Sequence, residues 1–587
     1  MCGRFNDLVK FILVKPRLTF CKCLAANLTT LVGDLWMRGV RSVLAGGAAA
    51  LSPWGAAQAQ TQLNRADPSI LERVVPQAVE APPTADPVES IALKVARPEA
   101  QTETRLANAI IVEGGGEIAR SQFSETLVDY IGRDLTGADL KALSHRVADV
   151  ARQAGYPFAS AWIEPQTLEN GVLRVRLDAG SLAAVRVIGH ANARADHILT
   201  TALVTGRAVR REQLERAILL VGDIPGVSVK ESKFVRQDGF GILLVTIAED
   251  RLSAYAQIDN RGSKEVGPLR STIIANARGL FRSGDEASFV VAQTPINPSE
   301  FLFVRGRYSA PIDANGAILS ASASYGRAKP GGSLAPLDVT GESYDASVFY
   351  SKPIIRTRAD SLWGTIEVRG LRSNQSLLGF PLRNDRIATL TGSLNGTARA
   401  GSGIVRGEVH LIDGLPLPGV TQEGATRSSR GDGDARFVIL GYAAEWTAPL
   451  TGRVGVALAS EGQVASRPLL ATMEIGVGGP IFGRGYDYAE RTGDNGILGS
   501  GEIRFDLGRA VPRLIDRLQL YGSVDGGYVA NLRGGGGGGA LLSTAAGVRA
   551  GRGKLGAMIE VALPLNADRF DTGKRNPRFS FRLSRLI

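Results

Sequence analysis

The sequence predicts a multidomain chain of α+β and all-β class, in which two β-α-α-β-β units precede a sixteen-stranded antiparallel transmembrane β-barrel. Three observations carry that expectation. One order of strand and helix patterns occurs twice between residues 105 and 250. Beyond 251 helical period gives way to apolar/polar alternation in segments of about ten residues, the length a tilted strand needs to cross lipid. The connections between those segments alternate, short and then generally longer.

The chain has 587 residues, 44% of them hydrophobic, and a net charge of +11. That length allows several domains. A positive balance first suggests nucleic acid, but the arginines are spread along the chain and do not gather into tracts or onto one helix face. A polar lumen lined with arginine accounts for them better. The three cysteines, Cys2, Cys21 and Cys23, all precede Met37. From Met37 runs MRGVRSVLAGGAAALSPWGAAQAQ, with basic Arg38 and Arg41, an apolar stretch from Ser42 to Leu51 and an A-x-A site at Ala57-Gln58-Ala59. Residues 1–59 therefore read as a signal-peptide region, with translation starting at Met37 and Gln60 as the mature N-terminus. A genuine long n-region is the alternative. On the first reading the mature chain has no cysteine, so thiol chemistry does not enter. No later apolar run approaches the roughly 18 residues of a spanning helix. A periplasmic, a secreted or an outer-membrane barrel protein remains.

Residues 60–104 read as a short helix and a tether. In DPSILERVV, Asp67 is placed to cap, Pro68 takes the first helical position and Pro76 ends the helix. The stretch EAPPTADPVESIALKVARPEAQTE, rich in Pro, Ala and Glu, follows as an extended tether. The first α/β unit, 105–180, runs from strand ANAIIVEG through helices SQFSETLVDYIG and LTGADLKALSHRVADVARQAG to strands ASAWIEPQ and VLRVRLDAG. In its second helix Thr136 caps with Asp139, and Leu140, Leu143, Val147, Val150 and Ala154 make one apolar stripe. The second unit, 181–250, repeats the order: LAAVRVIGH, a helix around 196–204, the helix REQLERAILLVG ending at Gly222, then VSVKESKFV and GILLVTIAE.

The barrel is expected over 251–587. LSASASYG sets Leu319, Ala321, Ala323 and Tyr325 against three serines, and IVRGEVHL sets Val405, Gly407, Val409 and Leu411 against Arg406, Glu408 and His410. LWGTIEVRG likewise opposes Leu362, Gly364, Ile366 and Val368 to Glu367 and Arg369. A soluble sandwich alternates too, so the connections have to decide. RSGDE, DANG, RTRAD, GS, TG and RGK are short; KPGGSLAPLDVTGES, LPLPGVTQEGATRSSRGDGDA and NLRGGGGGG between them are long. Short periplasmic turns and longer external loops make that pattern. Sixteen segments, near 253, 271, 287, 300, 317, 344, 361, 386, 403, 436, 453, 499, 518, 541, 556 and 577, return the C-terminus to the side of the α/β units. In lipid an open edge leaves backbone groups bare, so the sheet must close.

The α/β units resemble POTRA domains. The chain further resembles the outer-membrane transporters of two-partner secretion systems, the haemolysin-activator ShlB/FhaC/HecB family. The residues that carry this are Gly155-Tyr156, Pro165-Gln166 and Gly171 in the first unit, and GDIPGV (Gly222 to Val227) with Asp238-Gly239 in the second. DNRGS (259–263), GQVASRPLL (462–470), Glu474 and GGPIFGRGYD add to it in the barrel. The family's hairpin usually carries Val-Arg-Gly-Tyr or Val-Arg-Gly-Phe, where this chain has Gly483 in place of valine. This chain also ends in Ile587 where the family's barrel often ends in an aromatic residue, and its N-terminal helix is short for the family's barrel-plugging helix.

The resemblance implies an outer-membrane translocator with its POTRA units in the periplasm. Its implied partners are a large secreted β-helical protein of haemolysin, adhesin or toxin type, outer-membrane lipid and the assembly machinery for its own insertion. Gly155, Tyr156, Pro165, Gln166, Asp223, Pro225 and Gly226 are the candidate substrate-binding positions. It also implies that the hairpin bearing Arg484, Gly485 and Tyr486 folds into the lumen, where its arginine pairs with a wall aspartate. Parity in LQLYGSVDGGYV offers Asp525: if Leu518, Leu520 and Val524 face lipid, Asp525 faces inward. A bidentate Arg484–Asp525 pair is expected. A BamA-type insertase is the alternative function.

Other features read as structural. Arg430-Gly431-Asp432 is expected in an ordinary turn-rich loop, and glycines 534–539 are not a phosphate cradle because no GK[ST] follows. His145, His190, His197 and His410 lack metal-ligand spacing, and no G-x-S-x-G, H-E-x-x-H or Walker loop occurs. No cofactor, metal, catalytic residue or nucleic-acid partner is expected.

Overall fold

The computed structural model describes residues 64, 67–75, 106–115, 118–237, 240–508, 515–533 and 535–587. The signal region and nearly all of the tether lie outside the described residues. Helix α1 (Pro68–Leu71) forms as its sequence dictates: Asp67 Oδ1 accepts the Ser69 N–H at 2.9 Å, proline occupies the first turn, and one 3-10 turn, Glu72–Val74, follows.

Two sheets of one topology come next. In the first, β1 (Ala109–Glu113), α2 (Ser121–Val128), α3 (Gly137–Gln153), β2 (Ser160–Trp162) and β3 (Val172–Asp178) give the order β1-β3-β2. In the second, β4 (Ala184–Gly189), α4 (Ala193–Leu203), α5 (Arg211–Gly222), β5 (Val227–Gln237) and β6 (Phe240–Glu249) give β4-β6-β5. Each central strand runs parallel to the strand before the helices and antiparallel to its hairpin partner. The stripe of α3 works as its period predicts, with Leu140, Leu143 and Val147 buried against Leu173, Val175 and Leu177. Phe158 of the first unit stacks on Phe234 of the second at 4.5 Å, and Arg236 bonds Ser160 and Asp178 across the junction. The strand expected over 159–166 stops at Trp162, short of Pro165, which has no N–H for a ladder. The Gln166 side chain continues the pairing instead, accepting the Arg174 N–H at 3.0 Å and donating to its carbonyl at 2.8 Å.

The barrel wall starts with β7 (Leu252–Asp259), β8 (Arg270–Arg278), β9 (Glu286–Gln293), β10 (Phe301–Pro311) and β11 (Ile318–Ala328). It continues through β12 (Thr340–Arg356), β13 (Ser361–Leu377), β14 (Phe380–Ala400), β15 (Gly403–Gly414), β16 (Val438–Pro449) and β17 (Val454–Ala465). The short β18 (Ile475–Val477) and β19 (Arg491–Gly493) pair only with each other. The wall resumes at β20 (Asn495–Gly508), β21 (Arg517–Ala530), β22 (Gly539–Arg552), β23 (Leu555–Pro564) and β24 (Arg578–Leu586), and β24 pairs with β7 to close a sixteen-stranded antiparallel barrel. The barrel strands start within about four residues of their expected positions, except β14, which starts six residues early at Phe380.

Alternation sorts the two faces. Ile366, Val368, Val409, Leu411, Val524 and Ile559 are exposed outward, whereas Ser320, Glu502, Ser523, Asp525 and Glu560 are buried inward. One connection differs from expectation. Between β13 and β14 the external crossing is a two-residue turn, Leu378 (φ +50°) and Gly379 (φ +79°), because these strands, at 17 and 21 residues, carry the extra length themselves.

The second α/β unit docks on the short turns and on the end of β12 beside them. Arg194 donates to the Asp313 carbonyl, Arg216 to the Pro353 carbonyl at 3.1 Å, and Glu215 accepts the Arg358 N–H at 2.6 Å. Arg356 clasps Asp223 through two bonds of 2.7 Å.

Candidate functional site

The loop between β17 and β20 turns back into the lumen and reaches inward-facing residues of β20 to β24. Asp525 receives it, mostly through backbone. Its Oδ1 accepts the Gly483 and Arg484 N–H groups at 2.8 Å each and the Ser543 hydroxyl at 2.6 Å. The Arg484 guanidinium meets Asp525 only through Nε, 3.4 Å from Oδ2, so the expected bidentate pair is replaced by a different division of labour. With Oδ1 occupied by backbone donors, the guanidinium turns to Glu502 at 2.9 Å and Glu560 at 3.3 Å.

Both glutamates are themselves crowded by cations. Arg549 grips Glu502 at 2.7 and 2.9 Å, and Arg504 reaches it at 2.7 Å. Arg261 and the Tyr521 hydroxyl hold Glu560 at 2.9 and 2.8 Å, and Arg549 lies 3.8 Å from the Tyr521 ring centroid. Four guanidinium groups and three carboxylates form one lumenal network, the kind of mutual satisfaction that buried charges require.

The glycines are steric necessities. Gly483 has φ +91°, and a Cβ at Gly485 would sit 2.9 Å from the Pro564 nitrogen. Tyr486 is fully buried, its hydroxyl within 3.2 Å of the Leu542 and Ala567 carbonyls. Asp487 and the Tyr486 carbonyl both bond Arg578 of β24, at 2.7 and 2.6 Å. The second nitrogen of Arg578 reaches the Arg261 and Gly262 carbonyls just beyond β7, at 3.4 and 3.5 Å.

Two further elements close on the hairpin's base. Arg430 lies in the expected turn-rich loop, but its side chain is buried. It bonds Asp494 at 2.8 and 2.9 Å, Asp432 at 2.7 Å, Glu474 at 3.3 Å and the Leu532 carbonyl at 2.6 Å. The segment from α1 to Val75 lies in the lumen beside it. Arg73 donates to the Glu474 and Thr472 carbonyls, and Asp67 accepts from Ser373 at 2.6 Å. Glu72 meets Arg369 at 3.4 Å, while Leu71 and Val75 pack on inward Ile274, Phe301 and Phe303.

The POTRA candidates divide. Pro165 is exposed and Gln166 is engaged with Arg174. Gly155 (φ +98°) ends α3 and accepts the Arg211 N–H from the second unit at 2.8 Å, and Tyr156 is buried in the core. Asp223 is taken by Arg356; Pro225 is half-buried; Gly226 (φ +77°) accepts the Asp250 N–H at 2.9 Å. Tyr156 and Asp223 thus spend their side chains on packing and docking.

Fold and site define a POTRA-barrel protein whose lumen is occupied by an inserted hairpin and a short helix. A profile of the haemolysin secretion/activation proteins ShlB/FhaC/HecB matches residues 241–550, and a ShlB-type POTRA profile matches 106–180. The first match exceeds half of the chain, and the protein belongs to the ShlB/FhaC/HecB family. Its barrel lies in the outer membrane with the POTRA units in the periplasm. The heme/hemopexin transporter protein HuxB of Haemophilus influenzae strain 86-028NP is 26% identical over 253 residues, which cover 42% of this chain and 44% of that protein. The chain thus spans less than half the length of the curated relatives it matches. CdiB from Escherichia coli superposes with a TM-score of 0.66 at 18% identity, over 92% of this chain and 100% of that one. BamA from Haemophilus ducreyi lacking POTRA domains 1–3 gives 0.51 at 12% identity, over 82% and 100%.

Proposed function

We propose that this chain is the translocator of a two-partner secretion system, capturing an unfolded secreted protein with its POTRA units and passing it through the barrel without ATP. One observation carries the reading: the lumen of the closed barrel is filled by elements attached through ion pairs and hydrogen bonds, which can exchange for contacts with a passing chain. Exposed POTRA strand edges suit capture, because main-chain pairing makes little demand on sequence. Folding outside the cell would then bias movement outward. The insertase alternative has less behind it, since the matching family is that of the secretion proteins and the likeness to BamA extends to fold alone.

Co-expression with a candidate secreted partner, sought as a large β-helical protein among the neighbouring genes, tests the proposal. Release into the medium should require the chain. Equal release from cells lacking it would remove the export reading, and rescue of barrel assembly in place of release would favour the insertase.

A further inference from the structure

The hairpin's tip presents an anomaly. Ile481 is 53% exposed, yet it sits inside the barrel, on a turn whose following residues are tied to Asp525. Apolar surface held in contact with water is unfavourable, and an anchored turn cannot fold it away. Ile481 and Phe482 form part of the lining of a cavity of about 640 Å³, together with Trp363, Arg406, Glu408 and Glu445. These wall residues come from the turn-proximal ends of β13, β15 and β16, so the cavity is the periplasmic vestibule of the lumen. A second cavity of about 290 Å³ touches Ile481 too and reaches Val75 and Arg270. Ile481 therefore stands on the partition between the vestibule and the space beside the short helix.

The docked POTRA unit gives the vestibule an occupant. Its contacts fall on the turns after β8 and β10 and on the end of β12 with the turn that follows it, and the vestibule wall begins at the next strand, β13. A chain released from that unit arrives at this opening. The cavity is the size of a small-ligand site, with room for a few side chains of an extended segment and none for a folded domain. Its wall carries charges of both signs, which serve unpaired backbone groups without selecting a net charge.

We propose that Ile481, backed by Phe482 and facing Trp363, is the first apolar contact for the exported polypeptide inside the barrel. An aliphatic or aromatic side chain of an extended segment docks on the hairpin tip before the hairpin and helix yield. This rests on the export reading and assigns it a substrate contact.

The test uses the full chain in cells with the same candidate secreted partner, stalled in transit by a fused folded domain. A photo-crosslinking amino acid at Ile481 should trap the partner, and one at outward-facing Leu440 should not. Because burying an isoleucine side chain is worth roughly a factor of ten or more in binding, Ile481→Ser should cut release about tenfold and Ile481→Leu should restore it. Heat-modifiable migration of both variants checks that the barrel is intact. Unchanged release from Ile481→Ser, or equal trapping from both positions, overturns the proposal while export stands. Failure of the parent chain to release the partner overturns the export reading and this one with it.

Discussion

At the residue scale, Asp525 matters more to the seat of the hairpin than Arg484. Removing Arg484 leaves Glu502 with Arg549 and Arg504, and Glu560 with Arg261 and Tyr521. Removing Asp525 strands two buried backbone N–H groups, and hydrogen bonds to a charged acceptor are worth about 1.5–3 kcal/mol each. Asp525→Ala is therefore expected to unseat the hairpin by on the order of 2 kcal/mol more than Arg484→Ala. Limited proteolysis of residues 466–494 in intact outer membranes reads the order. Arg484→Ala should lower release of the partner while leaving the barrel formed, and normal release would show that the guanidinium network is dispensable. Strand parity alone placed Asp525 inward. The same parity across 495–508, with Ile503 outward, marks Glu502 as inward as well, although its role was not drawn from the sequence. That the carboxylate holds backbone could not be read, because nothing in residue identity says which donor arrives first. Arg430 was missed for a related reason: a polar, glycine-rich loop looks solvated until its carboxylate partners, distant in sequence, are brought to it.

At the scale of elements, local chemistry was the most legible. Helix α3 carries a complete capping box: Thr136 Oγ1 accepts the Asp139 N–H, and the Thr136 N–H and hydroxyl donate to the Asp139 carboxylate. Thr136→Ala should cost about 1 kcal/mol, measured as a lowered unfolding midpoint of the first POTRA unit. The hydrogen bonds from the Thr136 side chain and then its backbone hold the Asp139 pKa below the usual carboxylate value. A depressed folded pKa gives stability that is present above the unfolded value and lost as pH falls through the folded one. Asp139→Asn should accordingly flatten the acid limb of that unit's pH–stability curve, and an unchanged limb would refute the linkage. Strand ends were less legible. Pro165 ended β2 early, and β13 and β14 outran the bilayer because their pairing with each other continues beyond lipid.

At the scale of the whole molecule, barrel closure and strand count followed from the alternation of faces and connections. The position of the short helix did not, since nine residues reveal a cap and a stop but not a destination. Its lumenal seat predicts a chemical lock. On the reading that translation begins at Met37, the mature chain has no cysteine, so Asp67→Cys with Ser373→Cys introduces a single pair where the native side chains meet at 2.6 Å. Oxidised, this variant should retain its partner inside the cell; dithiothreitol should restore release. Export unaffected by oxidation would mean that the helix need not leave.

The joint between the first and last strands has a bearing on how the molecule is made. β24 and β7 pair over five residues, and Arg578 spans that joint, one nitrogen on the hairpin and the other on the carbonyls following β7. The cylinder is therefore riveted from inside: once the β17–β20 loop has tucked itself in, the seam gains the bonds that tie Arg578 to the hairpin. Seating of the finger and closure of the wall are thus coupled through one guanidinium.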